Sequence, residues 1–431
     1  MPTQRPILQL ALDFVDLVRA LKCAEEAVPA GVDWLEAGTP LIKSEGLNAV
    51  RELKARFPNL PIVADMKTMD AGRVELECAA KAGADIVGVL AAASDSTLAE
   101  SVEAARHYGA KLVADLIEVR DPVERAQQVQ ALGADYLGVH TPIDLQMRAA
   151  DPFEMLRAVC QVVSIPVAAA GGINSETAPK AIEAGASIVV VGGAITKAAD
   201  ARAATTAIRS ALDTGAGVAT DRFKRVGLEG VRDIFARVST DNISDAMHCQ
   251  GDLPGLQVIT PGVKMIGTAV TVRTYPGDFS KPVQAIDAAE PGQVIVVEAR
   301  GCGPAVWGEL ATHSAVGRRL AGVVIDGAIR DTPEIRALGF PSFAKIITPT
   351  RGQPRGMGEI NVAINVCGVE IHPGEWLVGD DDGVVVIPAA RVVEIANRSM
   401  DVFEYETRWR KEIADGRSLG QVTELAKWDE Y

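Results

Sequence analysis

The sequence predicts an α/β protein: an N-terminal (β/α)8 barrel followed by a second α/β domain of more irregular order. Short apolar runs and amphipathic stretches alternate eight times over residues 7–212. Several amphipathic stretches end on the same glycine-centred tripeptide before the next run begins. Beyond residue 225 the alternation breaks down, and strand-like runs separated by glycine and proline turns take over.

The apolar runs are residues 8–12, 34–35, 62–64, 86–89, 112–114, 136–139, 167–169 and 188–191. Each is short, aliphatic or β-branched, and followed by a polar or glycine turn. Between them, stretches such as 45–57 and 71–82 repeat apolar residues at three- and four-residue spacing, the period of an amphipathic helix. Gly83, Gly133 and Gly185 sit in Ala-Gly-Ala or Leu-Gly-Ala and suit helix C-termini. A doubly wound open sheet shares this alternation, but eight strand–helix units within residues 1–212 is the count that closes a barrel. Residues 213–225, with Gly215 and Gly217 and no apolar period, read as a linker. Residues 226–431 form the second domain. A helical start over 231–238 and a capped segment over 239–247 lead into strands at 265–272, 294–297, 322–325, 343–347, 369–371 and 384–387, and residues 392–413 predict a terminal helix. No low-complexity tract and no tandem repeat relates the two halves.

Composition narrows the function. The 431 residues are 48% hydrophobic and 23% charged, ordinary values for a globular enzyme with more than one core. Aromatic residues make up 4%, little material for stacking nucleic-acid bases, and the formal net charge of −14 opposes nonspecific nucleic-acid binding. The six cysteines are scattered without a C-x-x-C pair and read as thiols in a reducing compartment. No apolar run is long enough to span a bilayer, and the N-terminus carries no signal-peptide pattern, so a cytoplasmic location without membrane attachment is expected.

Charged residues gather at predicted strand ends. The third strand runs into Asp65-Met66-Lys67-Thr68-Met69-Asp70. Residues two apart on a strand face the same side, so Asp65 and Lys67 share a face. Asp13 closes the first strand and Glu36 the second. In a barrel these C-terminal ends form the active-site face. Four carboxylates and one lysine converging there are costly unless they pair or bind something, and hard oxygen ligands suit Mg2+.

Asp65-x-Lys67-x-x-Asp70 resembles the D-x-K-x-x-D signature of the orotidine monophosphate decarboxylase superfamily. Within it, residues 6–212 are similar to the 3-hexulose-6-phosphate synthases. The segments that carry the likeness are 8–13, Glu36-Ala37-Gly38-Thr39-Pro40, Gly138-Val139-His140-Thr141, Ala170-Gly171-Gly172-Ile173 and 191–196. The resemblance implies a lyase that condenses formaldehyde with D-ribulose 5-phosphate, reversibly, through an enediolate stabilised by Mg2+ or Mn2+. Glu36 and Asp65 would hold the metal, Lys67 would stabilise the enediolate, and Asp13 would position Lys67 or a substrate hydroxyl. Asp70 would reach a neighbouring subunit's site, which implies a homo-oligomer. His140 would carry a proton. Phosphate would sit on the backbone of Gly171, Gly172, Gly192 and Gly193, near helix N-termini after the last two strands. The related 3-keto-L-gulonate-6-phosphate decarboxylases, the alternative, typically carry arginine in the final phosphate loop and His-Arg in the sixth-strand segment, where this chain has Gly193 and His140-Thr141.

In the second domain, a strand ending in Asp326-Gly327 leads to an adjacent Arg330-Asp331, and Gly301-Cys302-Gly303-Pro304 precedes Trp307-Gly308-Glu309. Arg330 could grip a carboxylate bidentately and Asp331 could hold a divalent metal. These segments, with the turn at 379–384, resemble the family of the ribonuclease-activity regulators and class II pyruvate aldolases. The resemblance implies either a 2-oxo acid aldolase or decarboxylase with a second divalent metal, or a non-catalytic regulatory domain. Glu309 stands where the aldolases carry aspartate.

Overall fold

The computed structural model describes residues 5–148, 153–423 and 425. Its residues divide into two compact units, one running to Arg225 and resuming at Glu404, the other spanning Val226–Phe403.

The first unit is a closed barrel of eight parallel strands in sequence order. They are β1 (Ile7–Leu12), β2 (Trp34–Ala37), β3 (Ile62–Thr68), β4 (Ile86–Leu90), β5 (Lys111–Asp115), β6 (Tyr136–His140), β7 (Val167–Ala170) and β8 (Ile188–Val191). β8 pairs with β1 from Ile7↔Ile188 to Leu10↔Val191 and closes the ring. Helices begin at polar caps: Asp16, Ser94, Asp121 and Asp200 each accept a backbone N–H from the first turn. The three tripeptide glycines have the left-handed backbone expected of helix ends, with φ of 104° at Gly83, 101° at Gly133 and 108° at Gly185.

Strand alternation sorts the barrel's two faces. Leu8, Leu10 and Leu12 point out of β1 into the fully buried layer beneath the helices. Gln9, Ala11 and then Asp13 point inward. The other strands repeat this order, with Val63 below Asp65, Val113 below Asp115, and Tyr136 and Gly138 below His140. Apolar side chains therefore fill the floor, and the ionisable ones arrive at the C-terminal mouth.

The second unit is built on a mixed sheet. Its strands are β9 (Gln257–Val258), β10 (Met265–Arg273), β11 (Val294–Glu298), β12 (Gly322–Ile329), β13 (Ser342–Ile347), β14 (Glu359–Ile360), β15 (Ile364–Val366), β16 (Val369–Ile371), β17 (Trp376–Asp380) and β18 (Gly383–Ile387). The sheet order is β18-β17-β10-β11-β12-β13-β9, with β14 beside β10, and β15–β16 form a separate hairpin. β10 to β13 run parallel, and β9, β14 and β17 pair antiparallel to their neighbours. The acidic turn between β17 and β18 has a structural role. Asp380 accepts the Thr240 N–H at 2.9 Å, and Asp381 accepts that of Gly262 at 2.7 Å.

Two expected boundaries differ from this division. Residues 226–431 were expected to form one domain, yet the helix Val392–Ala414 leaves the second unit at its midpoint. From Glu404 onward it carries buried ionic groups paired with the barrel: Glu412 lies 3.1 Å from Arg19, and Arg408 lies 3.0 Å from Glu26 and 3.0 Å from Glu412. Helical periodicity marks a helix without revealing which core each half faces. The expected linker, 213–225, begins with the end of the helix Ala201–Thr214 and its Gly215 cap, and the rest is pinned to the loop after β7. Val218 donates its N–H to Ser175 O at 3.0 Å, Glu176 receives Thr220 N–H at 2.9 Å and pairs with Lys224 at 2.8 Å, and Asn174 donates to Phe223 O at 3.1 Å.

Candidate active site at the barrel mouth

The inward-facing strand ends enclose a cavity of about 420 Å³, a volume suited to a small organic ligand. Asp13, Glu36, Asp65, Lys67 and His140 line it together, as do Gly171, Gly172, Gly192 and Gly193. Asp70 does not; it is exposed after β3, where its carboxylate accepts the Ala71 N–H.

Lys67 lies at the centre. Its ammonium stands 3.0 Å from Asp65 and 3.2 Å from Asp115. The two flanking acids hold it well above the usual lysine range, although burial alone would lower it. Alternation alone does not place this pair. Pairing of β3 with β4 jumps between Ala64↔Val87 and Thr68↔Val89, and Lys67 adopts φ 47°. A positive φ on a long side chain is strained and clusters at functional sites. The irregularity swings the ammonium back over Asp65.

Asp115, at the end of β5, escaped the sequence reading because it belongs to no quoted motif. The signal was the one that picked out Asp13 and Glu36, a carboxylate directly after an apolar run. It touches both Lys67 and His140, whose Nδ1 lies 3.5 Å away. Burial raises its pKa, but the His140 hydrogen bond, the Lys67 charge and the Ile117 N–H together bring it below the usual carboxylate range. Thr39 Oγ1 lies 2.7 Å from Asp65 Oδ2, and Gly88 passes beneath Asp65, where an added Cβ would lie 3.2 Å from the carboxylate.

Among the described residues, Glu36 and Asp13 form no ion pair of the kind that joins Asp65 and Asp115 to Lys67. Glu36 is 8% exposed, and its carboxylate receives a short hydrogen bond from the Gln9 amide. Burial, reinforced by Asp65 and Asp13, pushes Glu36 well above the usual carboxylate range. Asp13 touches water inside the cavity yet is densely surrounded by protein; that enclosure and Asp65 raise its pKa too. Among the described residues, no group of three or more His, Cys, Asp or Glu could hold a metal by itself. Glu36 and Asp65, the second of which already pairs with Lys67, nevertheless fit Mg2+, which takes one or two carboxylates and completes its shell with water and substrate oxygens.

The glycine loops differ from each other. Gly171 and Gly172 have φ of 99° and 70°, and a Cβ on Gly171 would lie 2.5 Å from Thr141 O. They form a turn, not a helix N-terminus, because the next helix starts only at Ala178. Gly192 precedes the single-turn helix Gly193–Thr196.

In the second unit, Arg330 and Asp331 meet at the end of β12, where Arg330 Nε donates to Asp331 at 3.1 Å. Asp331 also accepts the backbone N–H of Glu309 at 3.2 Å, while the Glu309 carboxylate lies 3.6 Å from His313 Nε2. The two acids meet through the Glu309 backbone and do not form a shared donor set, so the expected second metal does not fit them.

Comparison with known proteins agrees with this division. Residues 6–208 match the model of the orotidine 5′-phosphate decarboxylase / HUMPS family. A 3-hexulose-6-phosphate synthase of Bacillus subtilis is 44% identical over 194 residues, which are 45% of this chain and 92% of that protein. The chain belongs to this family. A synthase of Mycobacterium gastri is 42% identical over 205 residues, 48% of this chain and 99% of its own length. A crystal structure of a 3-hexulose-6-phosphate synthase matches at 42% identity and a TM-score of 0.46, covering 48% of this chain and 99% of that one. Residues 240–386 match the RraA-like model, described as Aldolase/RraA, so the family barrel is fused here to an RraA-like domain. No helix among the described residues is long and apolar enough to cross a membrane.

Proposed function

We propose that the barrel condenses formaldehyde with D-ribulose 5-phosphate to D-arabino-hex-3-ulose 6-phosphate, reversibly. The observation that carries this reading is the Asp65–Lys67–Asp115 bridge in the mouth of the cavity, in a chain 44% identical to a synthase over the barrel. Lys67, fixed between two carboxylates, presents a charged ammonium where negative charge develops on the sugar's enediolate. His140, oriented by Asp115, takes the C1 proton of ribulose 5-phosphate. The C1 carbanion equivalent then attacks the formaldehyde carbon, and a proton neutralises the new alkoxide. Asp13 holds Lys67 or a substrate hydroxyl in place. Mg2+ or Mn2+ on Glu36 and Asp65 would supply Lewis-acid neutralisation of the oxyanions. The glycine loops take the phosphate. Asp70, exposed outside its own cavity, serves a neighbouring copy in a homo-oligomer. Gly193 and Thr141 favour this reaction over decarboxylation of a keto-gulonate phosphate. Lys67→Ala tests the reading: turnover should vanish while the fold remains, and surviving turnover would remove Lys67 from the chemistry.

For the second unit we propose a carboxylate-binding lyase site at Arg330 and Asp331 that takes a 2-oxo acid. Its support is the half-buried Arg–Asp pair at the end of β12.

A further inference from the structure

We propose that Lys197 binds the phosphate of the sugar substrate, and that it is held for this task by Phe223 and Tyr405, two aromatic rings from outside the stretch that matches the barrel family. The inference rests on the proposed sugar-phosphate reading of the cavity. Family similarity ends at residue 208, yet Phe223 and Tyr405 line the same cavity as Asp65 and Lys67. The ammonium of Lys197 lies 5.8 Å from the Phe223 ring centroid and 5.6 Å from that of Tyr405. An ammonium beside two aromatic rings is favoured by their quadrupoles and loses rotamer freedom in advance, and it carries three N–H donors with which to meet an anion.

The charge balance requires such a group. Lys67 is committed to Asp65 and Asp115, and the cavity's acids would repel a phosphomonoester. Lys197 supplies positive charge beside Gly192 and Gly193. Gly193 belongs to the same construction: a Cβ there would lie 2.3 Å from Phe223 Cε2, so the ring closes down only on glycine.

Both rings are held from behind. The Phe223 backbone is tied to Asn174 and to Glu404, and the Arg225 guanidinium lies 4.4 Å from its ring centroid. Tyr405 is carried by the helix that Glu412 and Arg408 fasten to Arg19 and Glu26, and Arg19 lies 6.0 Å from its ring. The segments on either side of the second unit thus build one wall of the barrel's pocket.

The test uses the full chain and two probes, ribulose 5-phosphate in turnover and inorganic phosphate in calorimetry. Lys197→Met should raise KM for ribulose 5-phosphate about 10- to 100-fold with kcat changed less than about threefold, the loss of one charge-assisted contact. Phosphate affinity should fall in parallel. Phe223→Ala should raise KM several-fold, and Phe223→Tyr, which keeps the ring, should restore it. An unchanged KM in Lys197→Met, or a lost kcat with KM intact, overturns the proposal. If the wild-type chain consumes no formaldehyde, the synthase reading fails on its own; phosphate binding then decides this inference, and equal affinity in wild type and Lys197→Met would refute it.

Discussion

Lys67 joins the ends of two strands that are not neighbours in the barrel, its ammonium 3.0 Å from Asp65 on β3 and 3.2 Å from Asp115 on β5. Asp115 also lies 3.5 Å from His140 Nδ1, so it links the proposed charge-stabilising group to the proposed proton carrier. Asp115→Asn should lower kcat about 10²- to 10³-fold, the scale of losing one preorganised electrostatic partner. Steady-state kinetics with ribulose 5-phosphate check this, and KM should move far less than kcat.

Gln9 donates to Glu36 and fixes the orientation of a proposed metal ligand. Gln9→Leu should weaken Mg2+ about 10- to 100-fold, as expected for groups that hold a ligand in place. Activity measured across a Mg2+ titration should shift to higher metal concentration and recover at saturation.

Gly38 makes room for Asp13: a Cβ there would lie 2.2 Å from its carboxylate oxygen. Gly38→Ala should displace Asp13 and cost about 10²-fold in kcat/KM, the scale of a misplacement near 1 Å. Circular dichroism should remain that of the wild type.

Glu412 is buried with Arg19 and Arg408, whose charges and hydrogen bonds hold it below the usual glutamate range despite burial. A carboxylate whose pKa is depressed by folding contributes its full stability above the unfolded value of about 4.3, and that contribution is lost as pH falls through the folded value. Glu412→Gln should therefore destabilise the barrel unit at neutral pH by about 3–5 kcal/mol, because the buried Arg19 loses a carboxylate partner and Arg408 loses one of its two. Thermal unfolding at pH 7 and at descending acid pH should show the variant's deficit narrowing as pH falls.

At Arg330 and Asp331, Asp331→Ala should abolish release of pyruvate from oxaloacetate or a 4-hydroxy-2-oxo acid. A wild-type chain that releases none would place the second unit with the non-catalytic, regulatory members of its family.

Much of this architecture was legible in the sequence, for physical reasons. Eight apolar runs with glycine-ended helices between them leave few arrangements besides a closed barrel, and period-two alternation brings Asp13, Glu36, Asp65 and His140 to one mouth. Four short strands of the second unit, 257–258, 359–360, 364–366 and 376–380, were not foreseen. Three of them have two or three residues, too few to show a period, and the fourth lies beside an acidic turn. Tertiary context also hid the rest. Nothing local distinguishes the linker's Phe223 or the terminal helix's Tyr405 from ordinary surface aromatics, and only the fold brings them to Lys197. The backbone irregularity at Lys67 was hidden as well, since D-x-K spacing is compatible with a regular strand.

The most direct measurement is formaldehyde consumption by the purified full chain supplied with D-ribulose 5-phosphate, with and without Mg2+. Loss of formaldehyde that requires both the sugar phosphate and the metal, and disappears in Lys67→Ala, is the predicted result. A folded, metal-supplied chain that leaves formaldehyde untouched but releases CO2 from 3-keto-L-gulonate 6-phosphate would contradict it.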